Sequence, residues 1–337
     1  PERARTAHTS LRRNTTRRER VAPGMSRAVV ATAYGGPEVL SVVDVEVPAP
    51  GPGEVLLDVR AAGVNPIDWK SYSGAFGTDP TRLPIRLGHE VAGVVVAVGP
   101  GVDDTPVGDE VIATGVVGGY AELVLVPAAR VAPKPAQVSW AEASGLLLTG
   151  GTAVHTLEAT GVGPGDVVLV HGASGSVGRF VVQLARLRGA QVVATASEAT
   201  HADLRALGAV PVTYGPGLAD RVRDAAGALG PVTVAIDTVG TDEALDVSVE
   251  LVADRSRIAT IAGFGRAGEL GIQLLGAGPG ADPGTAIRAA AVPQLVELAA
   301  DGLLRVKVAR TYPLEDAAQA HRDSIAGHAR GKLVLLP

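Results

Sequence analysis

The sequence predicts an α/β protein in which a β-rich domain is joined to a doubly wound parallel sheet. Three observations predict it. Short apolar runs broken by Gly and Pro fill residues 27–131, which is the texture of a small barrel or sandwich. From Ser139 onwards strand-like and helix-like segments alternate, as they do when a parallel sheet is covered on both faces. Within that second part, VLVHGASGSVGRFVVQLARLRGAQVVATAS (Val168–Ser197) joins two apolar bursts through a glycine-spaced turn and a helix. A chain of 337 residues suits two domains better than one.

The totals exclude several function classes. Hydrophobic residues at 46% are too many for a disordered chain, and aromatics at 3% are too few for a base-stacking surface. No cysteine is present, which removes disulfides, thiolate zinc ligands and thiolate catalysis together and agrees with a cytoplasmic setting. No apolar run approaches 18 residues, so no membrane span is expected. The net charge of −5 is unevenly spread. Residues 1–24 carry seven Arg against Glu2 and Glu19, which gives +5 and leaves −10 for the remainder. LRRNTTRRER has almost no apolar periodicity and reads as a disordered basic extension upstream of Met25, the only methionine. A nucleic-acid arm and a transit peptide are the alternative readings of that segment.

In chain order, AVVATAY, EVLLDVRAAGV, HEVAGVVVAVG, DEVIATGVV and YAELVLVPA read as strands of the first domain. SWAEASGLLLTGGTAVHTLEAT reads as one helix, with Ser139 and Glu142 spaced as a capping box. DVVLVHG (strand), SVGRFVVQLARLRG (helix), QVVATAS (strand) and THADLRALG (helix) follow, then strands at VTVAIDTVG and RIATIAGFG. The end of the chain holds a helix (PQLVELAADG), a strand (LRVKVARTYPL), a helix (LEDAAQAHRDSIAG) and a last strand (GKLVLLP).

The glycine turn carries the first chemistry. The dinucleotide spacing G-x-G-x-x-G falls on Ala173, Gly175 and Gly178, with Ser174, Ser176 and Val177 between them. Ala173 sits at the sharp turn, Gly175 lets backbone approach a pyrophosphate, and Gly178 lets helix and strand pack closely. The helix N-terminus then offers its unpaired N–H groups to phosphate. A carboxylate near the end of the second strand would select NADH, but Ala196 holds that slot. Ser197, Thr200 and His201 are donors for a 2′-phosphate and Arg179 is a nearby cation; Glu198 argues the other way. NADPH is therefore favoured over NADH.

RAVVATAYGGPEVL, GVNPIDWKSYSG, LPIRLGHEVAGVVVAVGPGV, VGDEV, HGASGSVG and GKLVLLP occur in this order between Met25 and Pro337. With them the chain resembles the medium-chain dehydrogenase/reductase superfamily, in its zinc-free quinone oxidoreductase (ζ-crystallin-like) branch. The resemblance implies a GroES-like β-rich catalytic domain (25–146 and 288–337) interrupted by a Rossmann NADP(H)-binding domain (147–287), with the active site between them. Zinc-dependent members ligate metal with a Cys near the AAGVNPID segment and with the His of Gly-His-Glu. Here Gly88, His89 and Glu90 stand without a Cys, so no zinc is expected and His89–Glu90 is read as a structural hydrogen-bonding pair.

The resemblance places Asn65 and Asp68 at the nicotinamide, Asn65 as a hydrogen-bond donor and Asp68 either there or bonding turn amides. Where some members carry a Tyr this chain has Lys70, a cation for a developing enolate; Tyr72 and Tyr120 are the phenols at hand. The expected catalytic set is Asn65, Lys70 and Tyr72. Thr152, Lys332 and the loops holding Val239 and Ala262 to Phe264 are implied to reach the cofactor, the loops through their backbone. These loops are read as closing the third and fourth Rossmann strands. The expected activity is an NADPH-dependent reductase of a quinone or an activated alkene, with a hydrophobic small molecule as substrate and a homodimer as assembly. An enoyl-thioester or other biosynthetic tailoring reductase, a zinc-free alcohol dehydrogenase, and a non-catalytic, nucleic-acid-associated NADPH-binding protein are the other readings.

Overall fold

The computed structural model describes residues 24–327 and 329–337, so the expectation for the basic extension lies outside the described residues except at Gly24. The first domain contains β1 (Met25–Ala31), β2 (Leu40–Glu46), β3 (Glu54–Val64), α1 (Pro66–Lys70), β4 (Ile85–Arg86), β5 (Glu90–Val98), β6 (Glu110–Thr114), β7 (Leu123–Pro127) and β8 (Val131–Pro133). The second runs through α2 (Trp140–Ala143), α3 (Leu147–Ala159), β9 (Val167–His171), α4 (Ser176–Leu187), β10 (Gln191–Thr195), α5 (His201–Ala206), β11 (Val210–Val212), α6 (Leu218–Ala226), β12 (Val234–Asp237), α7 (Asp242–Leu251), β13 (Ile258–Thr260), α8 (Ala267–Leu270), β14 (Gln273–Leu274), α9 (Thr285–Ala290) and α10 (Val292–Ala300). The chain then returns through β15 (Val308–Pro313), α11 (Ala317–Ile325) and β16 (Lys332–Leu336).

The second domain's sheet is parallel in the order β11-β10-β9-β12-β13-β14. That is the doubly wound order, and its reversal point lies between β9 and β12, outside whose carboxyl ends ligands sit. Every residue of β9 is buried, because alternate side chains serve two cores. Val168 and Val170 pack with Phe180 and Leu184 of α4, whereas Val167 and Leu169 pack with Val222 and Leu245 on the opposite face. The first domain is a mostly antiparallel sheet, β15-β16-β3-β5-β6-β8 with β7 also on β3, beside a small sheet β2-β1-β4. Early in β3 burial alternates as period two requires; the last four residues are all buried, where β16 and α2 close over them.

Three expectations change. The single helix over 139–160 is two helices. Ser139 caps α2 in the expected box with Glu142, but the chain bends at Ser144–Leu146. There a Cβ on Gly145 would stand 2.8 Å from Lys332 Cγ, and one on Gly63 would stand 2.1 Å from the Ser144 carbonyl oxygen, so the bend carries the chain close past β3 and β16. The strands ending at Asp237 and Thr260 are fourth and fifth in chain order, because β11, three residues with Pro211 in the middle, precedes them. Residues 288–304, assigned by sequence to the first domain, supply Ala291, Leu295, Ala299 and Leu304 to the core around Phe180 and Leu157. The chain rejoins the first sheet only at β15.

Candidate active site in the interdomain cleft

The glycine turn stands at the reversal point of the second sheet. Gly172 lies in the left-handed region at φ +71°, where a Cβ would meet Thr238 Oγ1 at 2.7 Å. A Cβ on Gly178 would lie 2.4 Å from the Gly172 carbonyl oxygen, so any side chain there pushes α4 off its strand. Ala173 is buried and donates its N–H to the Thr195 carbonyl at 3.1 Å, tying the turn to the end of β10. Gly175 is the N-cap of α4, and no side chain caps the helix. The first-turn amides therefore lack intrahelical partners and sit at the positive end of the helix dipole. Ser174, Ser176 and Val177 flank them half-buried. This uncapped cradle of glycine and small side chains fits a pyrophosphate.

At the ribose end Ala196 is buried in the slot where a carboxylate would select against a 2′-phosphate. Ser197 precedes a short helical turn without capping it by its side chain. His201, expected as a donor to a 2′-phosphate, instead has its Nε2 3.3 Å from the carbonyl oxygen of Ala196, the residue after β10. Arg179 lies 3.9 Å from Asp203, which Lys307 also binds.

At the other end of the cleft, the loops after β12 and β13 correct the sequence reading. Asp237, fully buried, accepts the Val239 and Gly240 N–H groups at 3.0 Å and the Thr260 hydroxyl at 2.6 Å. Thr260 Oγ1 in turn accepts the Ala262 and Gly263 N–H groups at 3.1 and 2.7 Å. These amides are thus consumed in holding the two loops together, and cofactor contact from them falls to carbonyls and side chains. Burial holds the Asp237 carboxyl above its usual range. Val239 is half-exposed, and the Phe264 ring lies 5.2 Å from Lys70 Nζ across the cleft.

Helix α1 forms the opposite wall, and a buried polar cluster hangs from each of two of its residues. At its start, Asn65 Oδ1 accepts a hydrogen bond from Lys332 Nζ at 2.6 Å. The same ammonium donates to Glu90 Oε2 at 3.1 Å and Thr149 Oγ1 at 3.3 Å, so its three protons have three acceptors. Glu90 Oε1 accepts the Leu148 N–H at 2.8 Å. Asn65, Glu90 and Lys332 belong to the first domain and Leu148 and Thr149 to α3, so this cluster pins the domains together. Lys332, expected at the cofactor, is spent on that pin.

Asp68 centres the second cluster. As the third residue of α1 it returns Oδ2 to the Asn65 N–H at 2.8 Å, which settles its two readings in favour of bonding the turn, with more besides. Oδ2 also accepts the Tyr120 hydroxyl at 2.8 Å, and Oδ1 meets His89 Nδ1 at 2.5 Å. His321 Nε2 lies 3.3 Å from the Tyr120 oxygen and His321 Nδ1 lies 2.7 Å from the Tyr72 hydroxyl. Proton positions follow by elimination. Tyr120 gives its proton to Asp68, so His321 Nε2 must donate to Tyr120 and Nδ1 must accept from Tyr72. Every donor in the chain Tyr72–His321–Tyr120 points toward Asp68. Burial lowers the His321 pKa to about 4, which agrees with a neutral ring. Burial works to raise the Asp68 carboxyl, but the His89 hydrogen bond and charge outweigh it and hold it below its ordinary value. Burial would lower His89; its bond to Asp68 wins and raises it.

Of the expected catalytic set, Asn65 is the N-cap of α1 and Lys70 its last residue. The Tyr72 hydroxyl instead lies buried against His321, behind Asp68, so it cannot donate directly to a ligand. Thr152 spends its hydroxyl on the Leu148 carbonyl at 2.8 Å, and Thr149, one turn earlier, faces the first domain. His89 and Glu90 are not a pair: the chain bends at His89 before β5 begins at Glu90, and each side chain bonds to a different cluster. Thr149, Asp237 and His321 escaped the sequence reading. Asp237 alone left a local signal, a carboxylate ending an apolar strand before a turn.

A catalytic zinc requires three protein ligands. The chain has no Cys, and among the described residues no three His, Asp or Glu side chains come together; both Asp68 oxygens are already occupied by donors. The donor set does not fit zinc. Nor is any described helix long and apolar enough to cross a membrane.

Known proteins match this architecture. The alcohol dehydrogenase GroES-like domain family matches residues 51–136, and the zinc-binding dehydrogenase family matches 207–335. The quinone oxidoreductase of Pseudomonas aeruginosa is 34% identical over 334 residues, covering 93% of this chain and 100% of its own. A 2-haloacrylate reductase of a Burkholderia species is 33% identical, covering 93% and 99%. Among solved structures, an NAD-dependent alcohol dehydrogenase superposes with a TM-score of 0.81 at 34% identity, covering 92% and 99%. A mycobacterial protein complexed with NADPH gives 0.79 at 33% identity, covering 93% and 100%. With both domains, the nucleotide turn and full-length relatives in agreement, the chain is an oxidoreductase of the medium-chain dehydrogenase/reductase superfamily and belongs to its quinone oxidoreductase branch.

Proposed function

We propose that the protein is an NADPH-dependent reductase of quinones or activated alkenes. The observation that carries this reading is the cleft itself. The second domain brings an uncapped phosphate cradle to it, and the first brings organic hydrogen-bond donors and aromatic surface but, among the described residues, no metal-ligand set. Residues 173–178 hold the pyrophosphate, and Ala196 with Ser197 and Arg179 leaves room for a 2′-phosphate. When bound, reduced nicotinamide supplies a hydride. The protein supplies position and charge stabilisation. Lys70, whose ammonium lies 5.6 Å from the Trp69 ring centroid and 5.2 Å from that of Phe264, offers a cation between flat apolar surfaces. That arrangement suits a planar conjugated acceptor whose oxygen gains charge during reduction. Activated acceptors need no Lewis acid, which agrees with the donor set.

The haloacrylate reductase among the relatives supports an alkene acceptor, and the NADPH complex supports the phosphorylated cofactor. The test is loss of NADPH absorbance with an ortho-quinone, a para-quinone, an enone and a crotonyl thioester, repeated with NADH and with a chelator. Turnover with NADPH, unaffected by chelation, is expected. Consumption of NADH alone, or loss of activity on chelation, contradicts the proposal.

A further inference from the structure

We infer that His89 is the proton donor of the reaction, and that Asp68, backed by Tyr120, His321 and Tyr72, is the positioning residue that keeps it charged and aimed into the cleft. The inference rests on the reductase reading above and goes beyond it by naming the acid.

The geometry argues for it in three steps. First, the α1 segment is tied to the second domain at both ends, by Asn65 through Lys332 to Thr149 and by Lys70 to the Phe264 ring. Asp68 accepts the Asn65 N–H, so the imidazole it holds lies beside the first of those ties, at the boundary between the domains. Second, His89 has one nitrogen fixed and one uncommitted. Nδ1 donates to Asp68 Oδ1, whereas Nε2 has no partner among the described residues and the side chain is 31% exposed. Gly88 makes the approach possible: at φ +98° it lies where a Cβ would stand 2.4 Å from the Tyr120 nitrogen. Third, Asp68 cannot accept the proton back easily. Three donors converge on its two oxygens, so it stays a carboxylate and favours imidazolium on its neighbour. Of the charged groups packed around His89, Glu90 and Lys332 neutralise each other, and Tyr120 and His321 reach it only through Asp68.

In the step itself hydride adds to the β-carbon of a conjugated carbonyl and the π pair moves onto the oxygen. The His89 Nε2–H bond breaks and its proton goes to that oxygen, leaving neutral imidazole and an enol. Solvent reprotonates the exposed Nε2. With a quinone the same proton completes the hydroquinone.

The test compares wild type with His89→Gln and Lys70→Met on an enone. Wild-type kcat is expected to fall as pH rises through the His89 pKa, above 6.5, because the acid form is required. In H89Q the limb disappears and kcat drops about 100-fold, with NADPH affinity retained; K70M keeps the limb. Should H89Q fail to fold, His89→Arg keeps a cation beside Asp68 that cannot release its proton, and it must show the same loss. A second readout needs no turnover: the His89 imidazole NMR signal titrates above 6.5 in wild type and lower in Asp68→Asn. An unchanged limb and kcat in H89Q or H89R overturns the inference while leaving the reductase reading intact. Absence of turnover by wild type with every acceptor overturns that reading instead.

Discussion

The two polar clusters carried by α1 are a few residues apart in sequence and opposite in character. The Lys332–Glu90–Asn65–Thr149 cluster is closed: each ammonium proton has an acceptor, and both ions of the pair have side chains only 1% exposed. The cluster on Asp68 is open at one end, with a carboxylate as the sink of a one-way hydrogen-bond chain and a part-exposed imidazole at the mouth. A fully matched network in a dry site is rigid and holds a domain boundary. One that ends at solvent keeps a proton that can leave. The difference lies in where each network stops.

Breaking the closed cluster should have the largest effect. Lys332→Met leaves the Glu90 carboxylate buried without its cation, and loss of one partner of such a pair costs about 3–5 kcal/mol. Urea denaturation measures it. A cost below about 1 kcal/mol would mean that water reaches the pair and that the contrast with the open cluster is false.

Acid sharpens the comparison from the other side. Burial puts His321, in the open cluster, and His171, at the end of β9, at about 4. Between pH 6.5 and about 4 the unfolded chain binds protons that these rings refuse. The stability they permit is complete above pH 6.5 and is lost as pH falls through that window, by up to about 1.4 kcal/mol per pH unit for each ring. His89 has the opposite sign: its contribution is present below 6.5 and lost as pH rises through its raised value. Unfolding free energy measured from pH 5 to 8 should therefore rise steeply at first and then flatten or decline. Replacing His171 with Asn should remove part of the acid slope.

The phenols give the smallest and most graded effects. Tyr120→Phe removes a hydrogen bond to a carboxylate, worth about 1.5–3 kcal/mol, whereas Tyr72→Phe removes one between neutral partners, worth about 1 kcal/mol. The reverse order would mean that the donors do not run toward Asp68.

What was legible in the sequence follows this division. The nucleotide turn is local, one strand, one turn and one helix, and its Gly172 and Gly178 fall where a Cβ would collide. Ser139 and Glu142 likewise announced their capping box across three residues. The cleft clusters join groups far apart in the chain: Lys332 lies 267 residues from Asn65, and His321 lies 249 from Tyr72. No periodicity encodes such pairings. Motif resemblance singled out Asn65, Asp68 and Lys332 but not the partners they bond, because a motif fixes residues along the chain and a role depends on which partners arrive. His89 and Glu90 were joined on adjacency alone, and the bend at His89 sends them to different clusters.

The most direct measurement follows both hydrogens of a single turnover. An enone would be reduced with NADPH deuterated at nicotinamide C4 in ordinary water, and again with unlabelled NADPH in D2O, and the product read by NMR. The account predicts cofactor deuterium at the β-carbon and solvent deuterium at the α-carbon, where the enol collapses to the ketone, with the carbonyl retained. Cofactor deuterium at the carbonyl carbon, giving an alcohol, would contradict it and make the protein a metal-free alcohol dehydrogenase.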